Sequence, residues 1–256
     1  MNFKNPALSI AMALTFLTAS SGIAQETGQE SITRASIHTP MPGMKAAYEE
    51  GVKKHQQWHK EHNDTWTFNV WQITSGPRTG DYVHVTSGHQ WGDFDLSRYD
   101  SKAHGIDANA NHRKFVASTE TRFWKRLPEL STIQENGGPA PMVRVIFMEV
   151  KPGKDALLTS AIKRMREARA KSDRIREGFF YSSVNSGSRG IYMLVLPQKN
   201  WGDMAQAGYR TRAILNEVYG HSESQLIMSR FFEAIEKPTS SVIYVYRPDL
   251  SYIPAK

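Results

Sequence analysis

Apolar residues alternate with polar ones over several short segments of this chain, and turns containing glycine or proline separate those segments. The clearest segment, Val143 to Val150, predicts a β-strand that stops at Pro152-Gly153, where proline removes a backbone donor and glycine permits a turn. Leu158, Ile162 and Met165 then recur at helical spacing. A strand followed by a helix is therefore expected from residue 143 onward.

The remaining pattern completes a known order of elements. Two strand-like runs, 179–184 and 191–196, flank a glycine-bearing turn, and residues 241–246 form a closing strand. A long helical region lies between residue 196 and residue 241. It begins at Trp201-Gly202-Asp203, with Asp203 as its expected cap, and a break is expected near Gly220. The order strand, helix, strand, strand, helix, strand is the ferredoxin-like pattern.

The same order occurs twice, because residues 34–133 match residues 144–243 at a constant spacing of 110 without a gap. An internal repeat of this length predicts two copies of one structural unit. In the first copy, the spacing places the closing strand at 131–133. It places the cap of the second helical region at Asp93 and the break in that region near Gly105. Trp91 and Trp201 occur in both copies, so both are expected to be buried at the turn into the helix.

The start of the chain predicts export. Residues 1–24 carry one charge and a short apolar run ending in small residues, which is typical of a secretory signal peptide cut after Ala24. We therefore expect a signal peptide over 1–24, a first repeat over 25–133, a linker over 134–142 and a second repeat over 143–256. The mature protein is expected in the periplasm or outside the cell, with no membrane span. The absence of cysteine excludes thiol catalysis and thiolate metal sites.

The chain has a formal net charge of +7, and much of the excess lies on the predicted helix around Lys163 to Arg176. This basic helix is interpreted as a solvated face, and the alternative is weak contact with an anionic surface. Export argues against nucleic acid as a partner.

Two ferredoxin-like units can bury their open sheet faces against each other. On its element order, Pro-Gly turns, glycine-containing hairpins and Trp-Gly-Asp segments, the chain resembles the dimeric α+β-barrel superfamily. It is similar in particular to NIPSNAP-like and antibiotic-biosynthesis-monooxygenase-like members. The resemblance covers nearly all of the mature chain and implies an α+β fold, in which two tandem βαββαβ repeats pack sheet to sheet as a pseudo-dimeric barrel. It also implies a ligand site between the first helix and the sheet.

Positions that are polar in one copy and apolar in the other point to that site. His55 corresponds to Met165, His84 to Leu194 and His38 to Met148. The candidate ligand-binding residues are His55, His59, Trp71 and His84. The alternative for each histidine is a core imidazole with one satisfied hydrogen bond.

No metal site follows from these histidines. His55 and His59 have chelating spacing, but His59-Lys60-Glu61-His62 is not a zincin motif and the sequence assigns no third ligand. A haem ligand likewise cannot be chosen among nine histidines, and the cofactor stays unknown.

Glycine-rich phosphate loops, nucleophile elbows and paired carboxylates are missing from the sequence, which argues against nucleotide-dependent enzymes and hydrolases. Together with the resemblance, the sequence favours an exported protein that binds a small aromatic or hydrophobic molecule, with cofactor-free or haem-dependent oxygenase chemistry as its enzymatic form. The alternative is a non-catalytic envelope protein that uses the duplicated barrel for binding or interaction. Neither catalysis nor an oligomeric state is predicted from these patterns.

Overall fold

The computed structural model describes residues 30–132, 138–172, 177–187, 190–206, 210–237 and 240–255. The predicted signal peptide and residues 134–137 of the predicted linker lie outside these ranges. Within them the strands are β1 Ile32–Pro40, β2 Asn69–Ile73, β3 Tyr82–His89, β4 Val116–Arg126, β5 Met142–Glu149, β6 Phe179–Val184, β7 Ile191–Gln198 and β8 Ser240–Tyr246. The helices are α1 Lys45–Glu61, α2 Ser101–Asn111, α3 Asp155–Lys171, α4 Arg210–Tyr219 and α5 His221–Ala234.

The eight strands form one closed antiparallel barrel in the order β1-β3-β2-β8-β5-β7-β6-β4. Strands β1 to β4 precede residue 133 and strands β5 to β8 follow residue 138. The two groups join where β2 pairs with β8 and β4 pairs with β6. The predicted α+β class and barrel are therefore confirmed. None of the described helices is both long and apolar enough to span a membrane.

Each strand presents its side chains alternately to the two faces of the barrel wall. Ile37 and Val83 point to the interior, whereas the neighbouring His38 and Tyr82 lie on the outer face beneath the helices. The buried apolar clusters lie between the outer face and the helices. Two environments result, one inside the barrel and one under the helical layer.

The expected closing strand at 131–133 is wrong. The strand in that role is β4, Val116–Arg126, and residue 133 lies outside the described ranges. Ser131 instead follows a 3-10 turn, where its Oγ donates to the Leu127 carbonyl and accepts from the Phe180 amide.

Ser251 makes the same pair of bonds in the other half, to the Arg247 carbonyl and from the Val70 amide. Ser131 and Ser251 are 120 residues apart, so the spacing of 110 does not hold to the end of the repeat. The reason is that α2 is one helix of 11 residues, whereas its counterpart region holds both α4 and α5.

Two further expectations about the helical regions have different outcomes. The break expected near Gly105 is wrong, because Gly105 lies inside α2. The break near Gly220 is confirmed, since Gly220 separates α4 from α5 with a φ of 80°.

The expected burial of Trp91 and Trp201 is also wrong. Their exposed fractions are 38% and 60%. Each opens a short 3-10 turn, and the aspartate two positions later accepts a hydrogen bond from a backbone amide before the turn, at Gln90 in one case and Lys199 in the other. The two halves thus share an aspartate-capped turn, and Asp93 and Asp203 cap that turn rather than a long helix.

Candidate functional site

Most of the chain's histidines gather between α1, α2 and the outer face of the barrel. We call this set the histidine layer, and its members are His38, His55, His59, His84, His104 and His112. Neighbouring rings in the layer lie within contact range, with centroids 4.5 Å apart for His38 and His84 and 4.8 Å apart for His55 and His112. The side chains therefore fill the space between α1 and the sheet.

The inner end of the layer is organised by Tyr48, a fully buried residue of α1. Its hydroxyl lies 3.0 Å from His38 Nδ1 and 2.7 Å from His84 Nε2. Burial lowers the pKa of His38 to about 4 and holds the pKa of His84 well below its usual value. Both imidazoles are consequently neutral at pH 7, and each satisfies a ring nitrogen with the same hydroxyl.

The outer end of the layer contains three histidines that converge from two helices. His55 and His59 are one turn apart on α1, and His104 faces them from α2. His55 Nε2 lies 3.1 Å from His104 Nε2, and one ligand nitrogen from each of the three rings lies within 4.8 Å of the others. We call these residues the histidine triad.

Two carboxylates orient the His55 and His59 rings of the triad through hydrogen bonds to Nδ1. Asp107 on α2 accepts a hydrogen bond of 2.7 Å from His55 Nδ1, and Asp64, just after α1, accepts one of 2.7 Å from His59 Nδ1.

The close approach of α1 and α2 depends on Gly51, because a Cβ there would lie 2.2 Å from the Asn111 carbonyl oxygen.

Burial sets the charge of this end of the layer as well. It lowers the pKa of His55 to about 4 and the pKa of His104 to about 3, so both rings keep an unprotonated nitrogen at neutral pH. Burial alone would raise the pKa of Asp64, but hydrogen bonds from His59, the Trp66 amide and Arg98 bring it below its usual value. The His55 and His104 imidazoles are thus neutral at pH 7, and the Asp64 carboxylate is ionised.

The barrel interior is a second candidate site. It contains a cavity of about 1290 Å³, which is large enough for an organic molecule. Aromatic and aliphatic side chains dominate its wall, among them Trp71, Trp124, Phe147, Phe179, Tyr181 and Tyr244. Arg78 and Arg122 also line it, and both pair with Glu120. Among the residues that the structure describes, its lining includes no histidine.

The four residues predicted to bind a ligand are therefore divided between two places. Trp71 lines the barrel cavity, while His55, His59 and His84 lie in the histidine layer on the other side of the wall. His55 and His59 come together, and His84 joins them only through intervening rings.

Sequence reasoning missed His104, Asp64 and Asp107. His104 stands at the spacing of 110 from Ile214, so the same polar-for-apolar comparison that selected His55 and His84 would have found it. No comparable signal marks the aspartates, whose roles depend on how α1 and α2 pack.

No family model and no curated protein matches the chain in sequence. Solved structures do match its fold. A candidate monooxygenase from Lactobacillus acidophilus superposes with a TM-score of 0.56 at 14% identity, covering 88% of this chain and 96% of its own. A cyanide-bound variant of chlorite dismutase from Candidatus Nitrospira defluvii gives 0.53 at 10% identity, covering 86% and 92%.

An anthrone oxidase-like protein gives a TM-score of 0.50 at 9% identity, covering 86% of this chain and 92% of its own. The monooxygenase and dismutase neighbours belong to the dimeric α+β-barrel superfamily. The chain shares their fold, and the expected resemblance is confirmed at this level.

Proposed function

We propose that the protein binds a small aromatic or hydrophobic molecule inside its barrel. The observation that carries this proposal is the cavity of about 1290 Å³ with its aromatic wall. Small-molecule sites are typically concave and mostly apolar, with a few polar groups that fix orientation. The interior of this barrel has that character.

Arg78 and Arg122, two of the cations that line the cavity, bear on the charge of the ligand. Arg78 Nη1 lies 2.6 Å from Glu120, and Arg122 also binds this carboxylate. Because Glu120 engages both guanidinium groups, a strongly anionic ligand would have to displace it. We therefore propose a neutral or weakly polar ligand that stacks on Trp71 and Trp124.

Oxygenase chemistry is the second candidate function. It is supported by neighbours named as a monooxygenase and an anthrone oxidase-like protein, which share the barrel. A cofactor-free oxygenase needs a base beside its substrate, and the predicted bases His55, His59 and His84 lie across the barrel wall from the cavity. The described lining also provides no imidazole for a haem iron, so the cavity does not fit a histidine-ligated haem.

Several finer features belong to the same proposal. The matched hydrogen bonds of Ser131 and Ser251 support two diverged tandem ferredoxin-like repeats, divided near residues 134–142. Export through residues 1–24, kinship with NIPSNAP-like proteins and weak contact of the basic helix with an anionic surface remain predictions. Mass spectrometry of the exported protein should find Gln25 at its start, and retention of residues 1–24 would contradict export.

Ligand binding can be tested by filling the cavity. Ala35 lies on β1 with its side chain in the cavity, so Ala35→Phe should occupy ligand space, whereas Ala170→Phe makes the same change on the exposed face of α3. Two probes are used. Binding of anilinonaphthalene sulfonate is followed by its fluorescence, and binding of a neutral naphthoquinone is followed by quenching of tryptophan emission.

We expect saturable naphthoquinone binding at one site, weakened at least tenfold by Ala35→Phe and unchanged by Ala170→Phe. Preferred binding of the anionic probe would contradict the neutral ligand. Absence of saturable binding, or equal binding by both variants, would reject the cavity site and favour the non-catalytic interaction module. Oxygen consumption in the presence of a bound quinol would distinguish an oxygenase from a binding protein.

A further inference from the structure

The histidine triad has the geometry of a metal site. Around a tetrahedral ion with metal–nitrogen bonds of 2.0–2.1 Å, neighbouring ligand nitrogens are roughly 3.3 Å apart. His55 Nε2 and His104 Nε2 are 3.1 Å apart, and the third ring contributes a nitrogen within 4.8 Å of both. For all three to bind one ion, the His59 nitrogen would have to move closer to the other two.

The tautomers of the two α1 histidines also suit a metal. His55 and His59 each donate Nδ1–H to an aspartate, which leaves the lone pair of Nε2 on the side of the triad. Metal-binding histidines usually have such a carboxylate partner, because it fixes the ring and increases its basicity.

The supporting carboxylates are themselves held in place. Asp64 is buried and accepts additional bonds from the Trp66 amide and Arg98. Asp107 accepts a bond of 2.9 Å from Asn111 Nδ2. The two ring orientations are thus fixed by the structure around them.

The other half of the molecule has apolar side chains at two of these three positions. In place of His55 and His104, α3 and α4 carry Met165 and Ile214, which pack with Ala161, Leu215 and Ile227 in an apolar cluster. In place of His59, α3 carries Arg169, whose guanidinium binds Thr211 Oγ1. Packing between these helices therefore does not require an imidazole at the positions of His55 and His104. The convergence of the three imidazoles in the first half needs another reason, because the polar atoms of each ring must be satisfied.

We propose that His55, His59 and His104 bind one divalent transition-metal ion of the class that prefers imidazole, represented by Zn²⁺. Asp107 and Asp64 act as positioning residues through His55 and His59. Three protein ligands leave a coordination position for water or a substrate, as in catalytic rather than structural zinc sites. His104 is only partly buried, so the site lies near solvent on the α2 side. This inference does not depend on ligand binding in the barrel.

The test measures Zn²⁺ binding by titration calorimetry, with the chain purified without a polyhistidine tag. Thermal unfolding with and without Zn²⁺ gives a second readout, since a ligand that binds only the folded state raises Tm. His55→Met and His104→Ile install the residues of the other half. Asp107→Ala removes a positioning carboxylate, and His221→Ala removes an exposed histidine of α5 as the matched control.

We expect one Zn²⁺ per chain, no change in affinity for His221→Ala and a roughly 10- to 100-fold loss for Asp107→Ala. The losses for His55→Met and His104→Ile should exceed that range. If those variants fail to fold, zinc X-ray absorption of the parent protein decides instead, and it should show three imidazole nitrogens. No stoichiometric binding, or binding that survives His104→Ile, would show a hydrogen-bonded core cluster and overturn the proposal.

Discussion

The two helical layers of this protein solve the same packing problem with different chemistry. Between α3, α4 and α5 the core is apolar and built on Met165, Ile214 and Ile227, with polar contacts such as Arg164 to Glu223 and Arg169 to Thr211 at its edge. Between α1 and α2 they are histidines and aspartates joined by hydrogen bonds. One barrel thus carries a layer that stabilises through apolar burial and a layer whose polar atoms must all be satisfied. This difference is the basis for proposing that the first layer is the specialised one.

Gly51 allows α1 and α2 to meet closely, and its replacement should change stability more than any other change described below. Gly51→Ala should destabilise by about 3 kcal/mol, because its Cβ would lie 2.2 Å from the Asn111 carbonyl oxygen and separate α1 from α2. Gly105→Ala is the matched control, since a Cβ there meets nothing within 4 Å. It should instead stabilise α2 by about 0.5–1 kcal/mol. Urea unfolding of both variants gives the sign and size of each change in the free energy of unfolding. Equal changes in the two variants would refute the close approach of the helices at Gly51.

A second effect tests whether the polar layer is a connected unit. Tyr48→Phe should cost about 2 kcal/mol, because it leaves ring nitrogens of His38 and His84 without their shared partner. The triple change Tyr48→Leu, His38→Met and His84→Leu copies Leu158, Met148 and Leu194 of the other half.

Because the triple change removes the whole polar set, it should be within about 1 kcal/mol of the parent or more stable. Its free energy of unfolding is the informative measurement. A triple variant less stable than Tyr48→Phe would contradict the view that the two layers are interchangeable packing solutions.

The smallest effect concerns the turn that the two halves share. Asp203→Ala should cost about 1 kcal/mol, since it removes the oxygen that accepts the Lys199 amide. Trp201→Ala should change stability by less than about 0.5 kcal/mol, because the indole is 60% exposed. Thermal unfolding compares the two, and the reverse order would mean that the indole, rather than the cap, is the shared structural feature.

The sequence predicted the barrel's strands wherever a local pattern specified them. Residues 143–150 were expected as a strand and form β5, Met142–Glu149, because alternation of apolar and polar residues reports directly on a two-faced sheet. Strand β4 was missed because the spacing of 110 was carried through a region where the second half holds more residues. A constant spacing in the sequence does not record where one half holds additional residues.

The candidate site was predictable only in part, for a similar reason. His55, His59 and His84 stood out because apolar residues replace them in the other half. Their separation from Trp71 by the barrel wall follows from strand alternation combined with barrel closure, which no single segment specifies. The convergence of His104 and Asp107 on His55 depends on contact between α1 and α2, so it emerges only in three dimensions.

Anomalous diffraction at the zinc edge, from crystals of the protein soaked in Zn²⁺, locates a bound zinc ion without reference to any activity. The specialised first layer predicts one strong peak at about 2.0–2.1 Å from a nitrogen of each of His55, His59 and His104. It predicts no peak between Met165 and Ile214 in the other layer. A map without density at the triad, or with zinc only at an exposed histidine such as His221, would contradict the account.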